Sequence, residues 1–422
     1  MAIHVVQSGE TLAQIAKQYT ISVAVIVAVN GLPSANDIVP GLALYIPDTD
    51  IIQYRSYIVK EGDTLWQLAN HFDTTITAIT KANPTINPHS LSIGQKLLIP
   101  TATMRQMETL GFLIPGNLSV LRSLSNFLTY VAIVAYSFTE EGYVSMLLDD
   151  TAAIEESKRV GITPLLMIRN FTGDDFDAEL AGNVLRNAEY RANLINSLLQ
   201  VIDEKGYGGV SLDMEFIPPT ERENFNLFLY ELKRALGSHI LHVNVHAKTE
   251  DLPTNRIVGA YDYQMIGQIA DIVAVMTMDY GYPGGPPAPV APITWVEEVV
   301  QYTTSLIHPQ KVQIAFPLYG YDWDIAAEST TALSVNRAQN QAISAKTVIE
   351  YDQTAATPWY SYTQNGEEHI VWFEDIRSYR AKYVLVDQYQ LLGVTYWHIN
   401  LPAPQNWVYL YNHFVVEKRE VK

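Results

Sequence analysis

Gly208-Gly209-Val210-Ser211-Leu212-Asp213-Met214-Glu215-Phe216 is the stretch on which the reading of this chain turns. It is a β-type run, and side chains two apart on a strand share a face. Ser211, Asp213 and Glu215 are therefore expected on one side, with Val210, Leu212, Met214 and Phe216 on the other, toward a helical layer. Two carboxylates facing one confined space repel each other and resist ionising together, which raises at least one pKa and keeps a protonated acid available near neutral pH. The same Asp-x-Glu could also simply end the strand and cap a helix beginning near Thr220. The run alone leaves both readings open.

Seven further β-type runs flank it: Glu108 to Ile114, Thr129 to Ser137, Pro164 to Asn170, Ile240 to Ala247, Ile272 to Asp279, Val312 to Tyr319 and Gly393 to Ile399. Amphipathic stretches such as Asn187 to Glu204 and Arg222 to Leu236 lie between them. Strands alternating with helices through the later three quarters of the chain predict a (β/α)8 barrel, a little longer than the ~250 residues typical of that fold. The surplus falls between runs seven and eight, where Ile349 to Tyr351, Trp359 to Tyr362 and His369 to Phe373 predict a small α+β insertion over roughly 325–385. The Pro/Gly-rich segment Gly281 to Pro292 predicts a long loop at the face where barrels carry their sites.

In this setting Gly-x-x-x-Asp-x-Glu resembles the signature of glycoside hydrolase family 18, the chitinase-like retaining hydrolases. Met276-Thr277-Met278-Asp279 stands where that family carries Met-x-Tyr-Asp, Phe316-Pro317-Leu318-Tyr319-Gly320 resembles its seventh-strand pattern, and Gly393-Val394-Thr395-Tyr396-Trp397 its eighth. The resemblance spans about 105–415 and assigns the domain 105–422. It implies that Glu215 protonates the glycosidic oxygen and later deprotonates water, that Asp213 holds the substrate's acetamido N–H, and that Asp279 orients that acetamide. The nucleophile is then the substrate's own acetamido carbonyl. Trp397 is implied as a floor for the sugar, with Tyr280, Tyr319 and Tyr321 as further binding candidates. The chain departs from the family pattern in three respects: Gly208 and Ser211 replace two aspartates, Met214 and Met278 replace common aromatics, and Leu166 to Asn170 lacks Ser-x-Gly-Gly.

Upstream, HVVQSGETLAQIAKQY from His4 aligns with YIVKEGDTLWQLANHF from Tyr57 at an offset of 53. The register holds at Gly9 and Gly62, Thr11 and Thr64, Leu12 and Leu65, Asn30 and Asn83, Gly41 and Gly94, and Pro47 and Pro100. Each unit reads β, helix, helix, β, with Thr or the acid able to cap the first helix. The order resembles the LysM module, which recognises polymers containing N-acetylglucosamine, and assigns modules to 3–48 and 55–101. By that resemblance Gly9, Thr11, Leu12, Gly62, Thr64 and Leu65, with the loops after Asn30 and Asn83, contact sugar. Two weak sites in tandem gain avidity on a repeating polymer.

The 422 residues, 48% apolar and 17% charged, suit a globular chain of two to three domains. The 27 basic against 45 acidic side chains give a net charge of -18, which repels phosphate backbones and anionic headgroups. No nucleic acid or membrane partner is expected. With no cysteine there is no thiolate nucleophile or Cys-ligated metal. His242 and His246 fall on a predicted strand, where four residues span about 13 Å, too far for one zinc. Neither metal nor cofactor is expected. Asp149-Asp150 and Asp174-Asp175 read as solvated faces or caps. No signal peptide is expected at the start, and a monomer is expected. Two LysM units before a family 18 barrel are similar to the spore cortex-lytic N-acetylglucosaminidases. The implied activity is hydrolysis of peptidoglycan after N-acetylglucosamine by a spore-associated enzyme. A chitinase, or a non-hydrolytic sugar-binding coat protein, remains the alternative.

Overall fold

The computed structural model describes residues 2–47, 53–72, 74–88, 90–101, 104–173 and 175–419. The proposed boundaries at Asp48 and Lys422, and Asp174, lie outside them. Eight parallel strands close a barrel: Arg105–Leu113, Tyr130–Phe138, Thr163–Arg169, Gly209–Asp213, Ile240–His246, Ile272–Met276, Val312–Pro317 and Gly393–Trp397. Each pairs with its neighbours in chain order, and the eighth pairs with the first through Gly393 and Glu108. All eight predicted runs are barrel strands. The reason is local: each run is apolar on both faces, as a parallel strand between a filled barrel interior and a helical coat must be. The fourth strand can lie against the fifth only because Gly209 lacks a Cβ, which would sit 2.2 Å from the Ile240 carbonyl oxygen. Helices Ala188–Lys205 and Arg222–Leu236 bury Leu194, Leu198, Phe228 and Leu232 against the sheet.

Two predicted boundaries move. The seventh strand ends at Pro317, and Tyr319–Asp324 turns away as the first strand of the insertion, which therefore starts earlier than 325. Its five strands, with Ser329–Ser334, Glu350–Asp352, Thr357–Gln364 and Glu367–Trp372, form one antiparallel sheet beside helix Val335–Ala345. Asp150 is also no solvated group. It is fully buried at the N-cap position of the following helix, accepting from the Tyr136 and Tyr207 hydroxyls and pairing with Lys205, whereas Asp149 accepts from Thr151 N–H just before that helix.

Both N-terminal modules are βααβ units with one two-stranded sheet, Ala2–Val5 with Ala43–Ile46 and Gln53–Ile58 with Lys96–Thr101. Thr11 and Thr64 cap their first helices by accepting from Gln14 N–H and Gln67 N–H, each such cap contributing on the order of 1 kcal/mol. Asn30 and Asn83 are buried staples: each amide bonds the backbone of the closing strand, at Tyr45 and at Leu98. Among the described residues no single helix is long and apolar enough to cross a membrane.

Candidate active site

A cavity of about 680 Å³ opens at the C-terminal ends of the barrel strands, lined by Asp213, Glu215, Asp279 and Trp397 among others. Asp213 is the last residue of the fourth strand and is buried. Burial, then the neighbouring Glu215 charge, push its carboxyl well above the usual range, and Arg169 opposes them. Glu215 lies two residues past the strand, its Oε2 3.1 Å from Nε2 of His246 at the end of the fifth strand. The backbone beneath it is clamped. Buried Asn170 accepts from the Glu215 N–H at 2.9 Å and donates to its carbonyl at 2.9 Å, while the Tyr261 hydroxyl donates to the Met214 carbonyl at 2.7 Å.

Across the cavity Asp279 sits just past the sixth strand in left-handed backbone, φ 58°. Its Oδ1 accepts from the Tyr319 hydroxyl at 2.6 Å and the Tyr321 hydroxyl at 2.8 Å. The protein around the carboxyl raises its pKa, the two hydroxyls pull it back, and Glu215 adds to the rise. Tyr319 and Tyr321 are thus buried supports of Asp279 and are not among the residues lining the cavity. Tyr280 does line it, half exposed, with its ring 5.3 Å from that of Trp295. Trp397 stands at the end of the eighth strand, 5.2 Å from Phe112 between ring centres, and presents an apolar face to the cavity.

The structure thus gathers Asp213, Glu215, Asp279, Tyr280 and Trp397 around one space. Two further expectations change. Phe216 does not face the helical layer: its backbone turns to φ 54° after the strand ends, and its ring lines the cavity. Leu12 and Leu65 are core residues of their modules, 1% and 4% exposed, so their side chains cannot reach a sugar. Gly9, Thr11, Gly62 and Thr64 remain exposed on their turns and lie outside the cavity. The positions where the family signature is missing are filled by other chemistry. Ser211 Oγ lies 2.9 Å from Nδ1 of His242, whose burial pushes it down to about 3, and Asn244 donates to the same oxygen, so a neutral polar layer underlies Asp213. His242 and His246 accordingly serve different partners, as their strand spacing requires.

Sequence reasoning missed Arg169, Asn170 and His246. Arg169 pairs in register with Asp213, lines the cavity and stacks its guanidinium 4.4 Å from the Phe171 ring centre, without an ion pair among the described residues. An arginine closing an otherwise apolar strand, Leu165-Leu166-Met167-Ile168-Arg169, was the available signal.

Residues 165–401 match Glycosyl hydrolases family 18, and residues 4–47 and 57–100 each match the LysM domain. The cortical fragment-lytic enzyme of Bacillus anthracis is 33% identical over 98% of both chains. The crystal structure of the Bacillus cereus spore cortex-lytic enzyme SleL superposes with a TM-score of 0.86 at 32% identity, covering 99% of this chain and 98% of that one. That of the Bacillus megaterium QM B1551 enzyme gives 0.83 at 30%, covering 99% of each. With its closed barrel, the carboxylates at the end of the fourth strand and these matches, the chain belongs to glycosyl hydrolases family 18, a glycoside hydrolase domain preceded by two LysM domains.

Proposed function

We propose that the protein hydrolyses spore cortex peptidoglycan, cutting the β-1,4 bond after N-acetylglucosamine with retention. The observation that carries this reading is the grouping of Asp213, Glu215 and Asp279 around one cavity with Trp397 as its aromatic wall. Glu215 lines the cavity and is the proton donor to the leaving oxygen. Asp213, kept protonation-prone by burial and by Glu215, holds the acetamido N–H, so that the acetamido carbonyl attacks the anomeric carbon and forms an oxazolinium intermediate. Asp279, oriented by two tyrosine hydroxyls, positions that group from the other side. Glu215 then takes a proton from water, which opens the ring with net retention. This is the substrate-assisted variant of retaining hydrolysis.

The nucleophile sets the bond. The sugar on the donor side must carry a free acetamide, which N-acetylglucosamine does and a muramic lactam, with its nitrogen tied into a ring, does not. The names borne by the Bacillus relatives support cortex as the substrate and the spore as the place of action. The LysM domains support retention on N-acetylglucosamine polymers, and the protein's net charge of -18 means that retention rests on short-range contacts with sugar.

Mass spectrometry of fragments released from cortex peptidoglycan tests the reading. Wild type is expected to release new reducing-end N-acetylglucosamine and Glu215→Gln none. Equal release by the two proteins, or release only from chitin, would overturn it.

A further inference from the structure

The first LysM domain shares its hydrophobic core with the insertion. Ile26, Leu32 and Leu44 form one buried cluster with Ile343, Ile349 and Tyr360. Its closing strand Ala43–Ile46 is buried on both faces, with Leu44 and Ile46 in that shared core and Ala43 and Tyr45 in the core of the barrel. The loop between its second helix and that strand is fastened at both ends. Gly31 carbonyl accepts from Asn336 Nδ2 at 2.8 Å and Asn340 Nδ2 at 3.1 Å, and Pro40 carbonyl accepts from Ile349 N–H at 3.0 Å. Gly41 lies so close that a Cβ there would sit 1.8 Å from the Ile349 carbonyl oxygen.

The second domain has none of this. Among the described residues its core, from Val59 to Ile99, contains none from the barrel or insertion. It touches the barrel through polar groups such as Ser56 N–H on Asp387 at 2.8 Å, beside a crevice of about 320 Å³. A Cβ on Gly94, the repeat counterpart of Gly41 with the same left-handed φ, would meet nothing within 4 Å.

The shared core reaches the cavity through the sheet. Leu333 and Val371 belong to it, and they pair in register with Gly320 and Asp322 on the strand that carries Tyr319 and Tyr321. We infer that the first LysM domain is a positioning element of the catalytic cleft: it completes the core of the insertion and so fixes the strand whose tyrosines hold Asp279. A buried apolar face without its partner loses both its burial and its close packing, so loosening this domain loosens that strand.

The test uses the full-length protein and two matched substitutions, Gly41→Ala and Gly94→Ala. Both impose the same backbone strain, and only the first breaks the contact. Hydrogen exchange across 319–324 is expected to speed up about tenfold or more in Gly41→Ala and to stay unchanged in Gly94→Ala. On a soluble N-acetylglucosamine oligosaccharide, kcat is expected to fall about tenfold in Gly41→Ala alone, and the loss should not add to that of Tyr321→Phe. The activity arm rests on the hydrolase reading, whereas the exchange arm stands without it. Equal exchange in the two glycine variants, or full additivity with Tyr321→Phe, would overturn the inference. Should Gly41→Ala fail to fold, the double change Asn336→Ala with Asn340→Ala replaces it, and unchanged exchange at 319–324 there is equally decisive.

Discussion

Asp213 and Glu215 are held by the barrel itself, whereas Asp279 is held by a sheet that the barrel carries as an insertion. On the first wall, support comes from adjacent parallel strands: Arg169 ends the third and Asn170 follows it, His246 ends the fifth, and the Glu215 backbone is clamped on both its N–H and its carbonyl. On the second wall, two hydroxyls on a strand beyond the seventh reach one carboxylate oxygen. The difference teaches where rigidity comes from. Both strands are fixed by ladder hydrogen bonds on both sides, but the barrel strand belongs to a closed sheet whereas the insertion strand lies in an open one that takes part of its core from a neighbouring domain. The wall proposed to carry proton transfer is thus the one with the most backbone support.

Substitutions can break or sharpen that comparison. The largest effect is expected for Glu215→Gln, a fall in kcat of roughly 10²–10⁴ from loss of general acid catalysis, measured on a soluble oligosaccharide with binding retained. Next is Asp213→Asn, with a loss of about 100-fold that is accompanied by a gain in stability. Its carboxyl binds protons more tightly folded than unfolded, so between its unfolded pKa and its raised folded one it costs stability as pH rises. Melting of the Asn variant at neutral pH should therefore exceed that of wild type, and lower melting would contradict the buried, raised carboxyl. Asn170→Ala frees the Glu215 backbone and should lower kcat by about 10- to 100-fold with little change in KM.

The tyrosine wall should be milder. Tyr319→Phe with Tyr321→Phe is expected to cost about tenfold in kcat, each alone a few-fold, because the Asp279 carboxyl stays in place and loses only orienting hydrogen bonds, a net contribution of about 0.5–1.5 kcal/mol for each neutral one. A loss in that double variant larger than in Asn170→Ala would reverse the ranking of the two walls. The smallest effect is expected for Arg169→Met. Removing the cation that favours the ionised form of Asp213 should move the acid limb of the pH–kcat/KM profile upward. An unmoved profile with only lower stability would make Arg169 a packing residue.

Much of the barrel was legible because strand periodicity and turn chemistry are local. The Asp213 and Glu215 pair stood out because acids on an apolar strand are costly unless used. His246 was read on its strand but not as a neighbour of Glu215, since only the register of the fourth and fifth strands brings residues 31 positions apart together. Tyr319 was assigned to the seventh strand because its run is continuous with Val312, and nothing local marks the turn after Pro317 that sends it to the insertion. Leu12 and Leu65 were placed with the sugar turn because a repeat shows which positions are kept, not which way they point.

By itself the sequence determined the two-module repeat, the eight strands and the carboxylates at the end of the fourth, since each follows from periodicity within one segment. Only the tertiary structure decided that Asn170 clamps Glu215, that two insertion tyrosines hold Asp279, and that the first LysM domain shares its core with the insertion while the second keeps a core of its own. The physical reason is that an apolar face or a buried donor announces the need for a partner, but which distant segment meets that need is set by how the closed barrel brings its loops together.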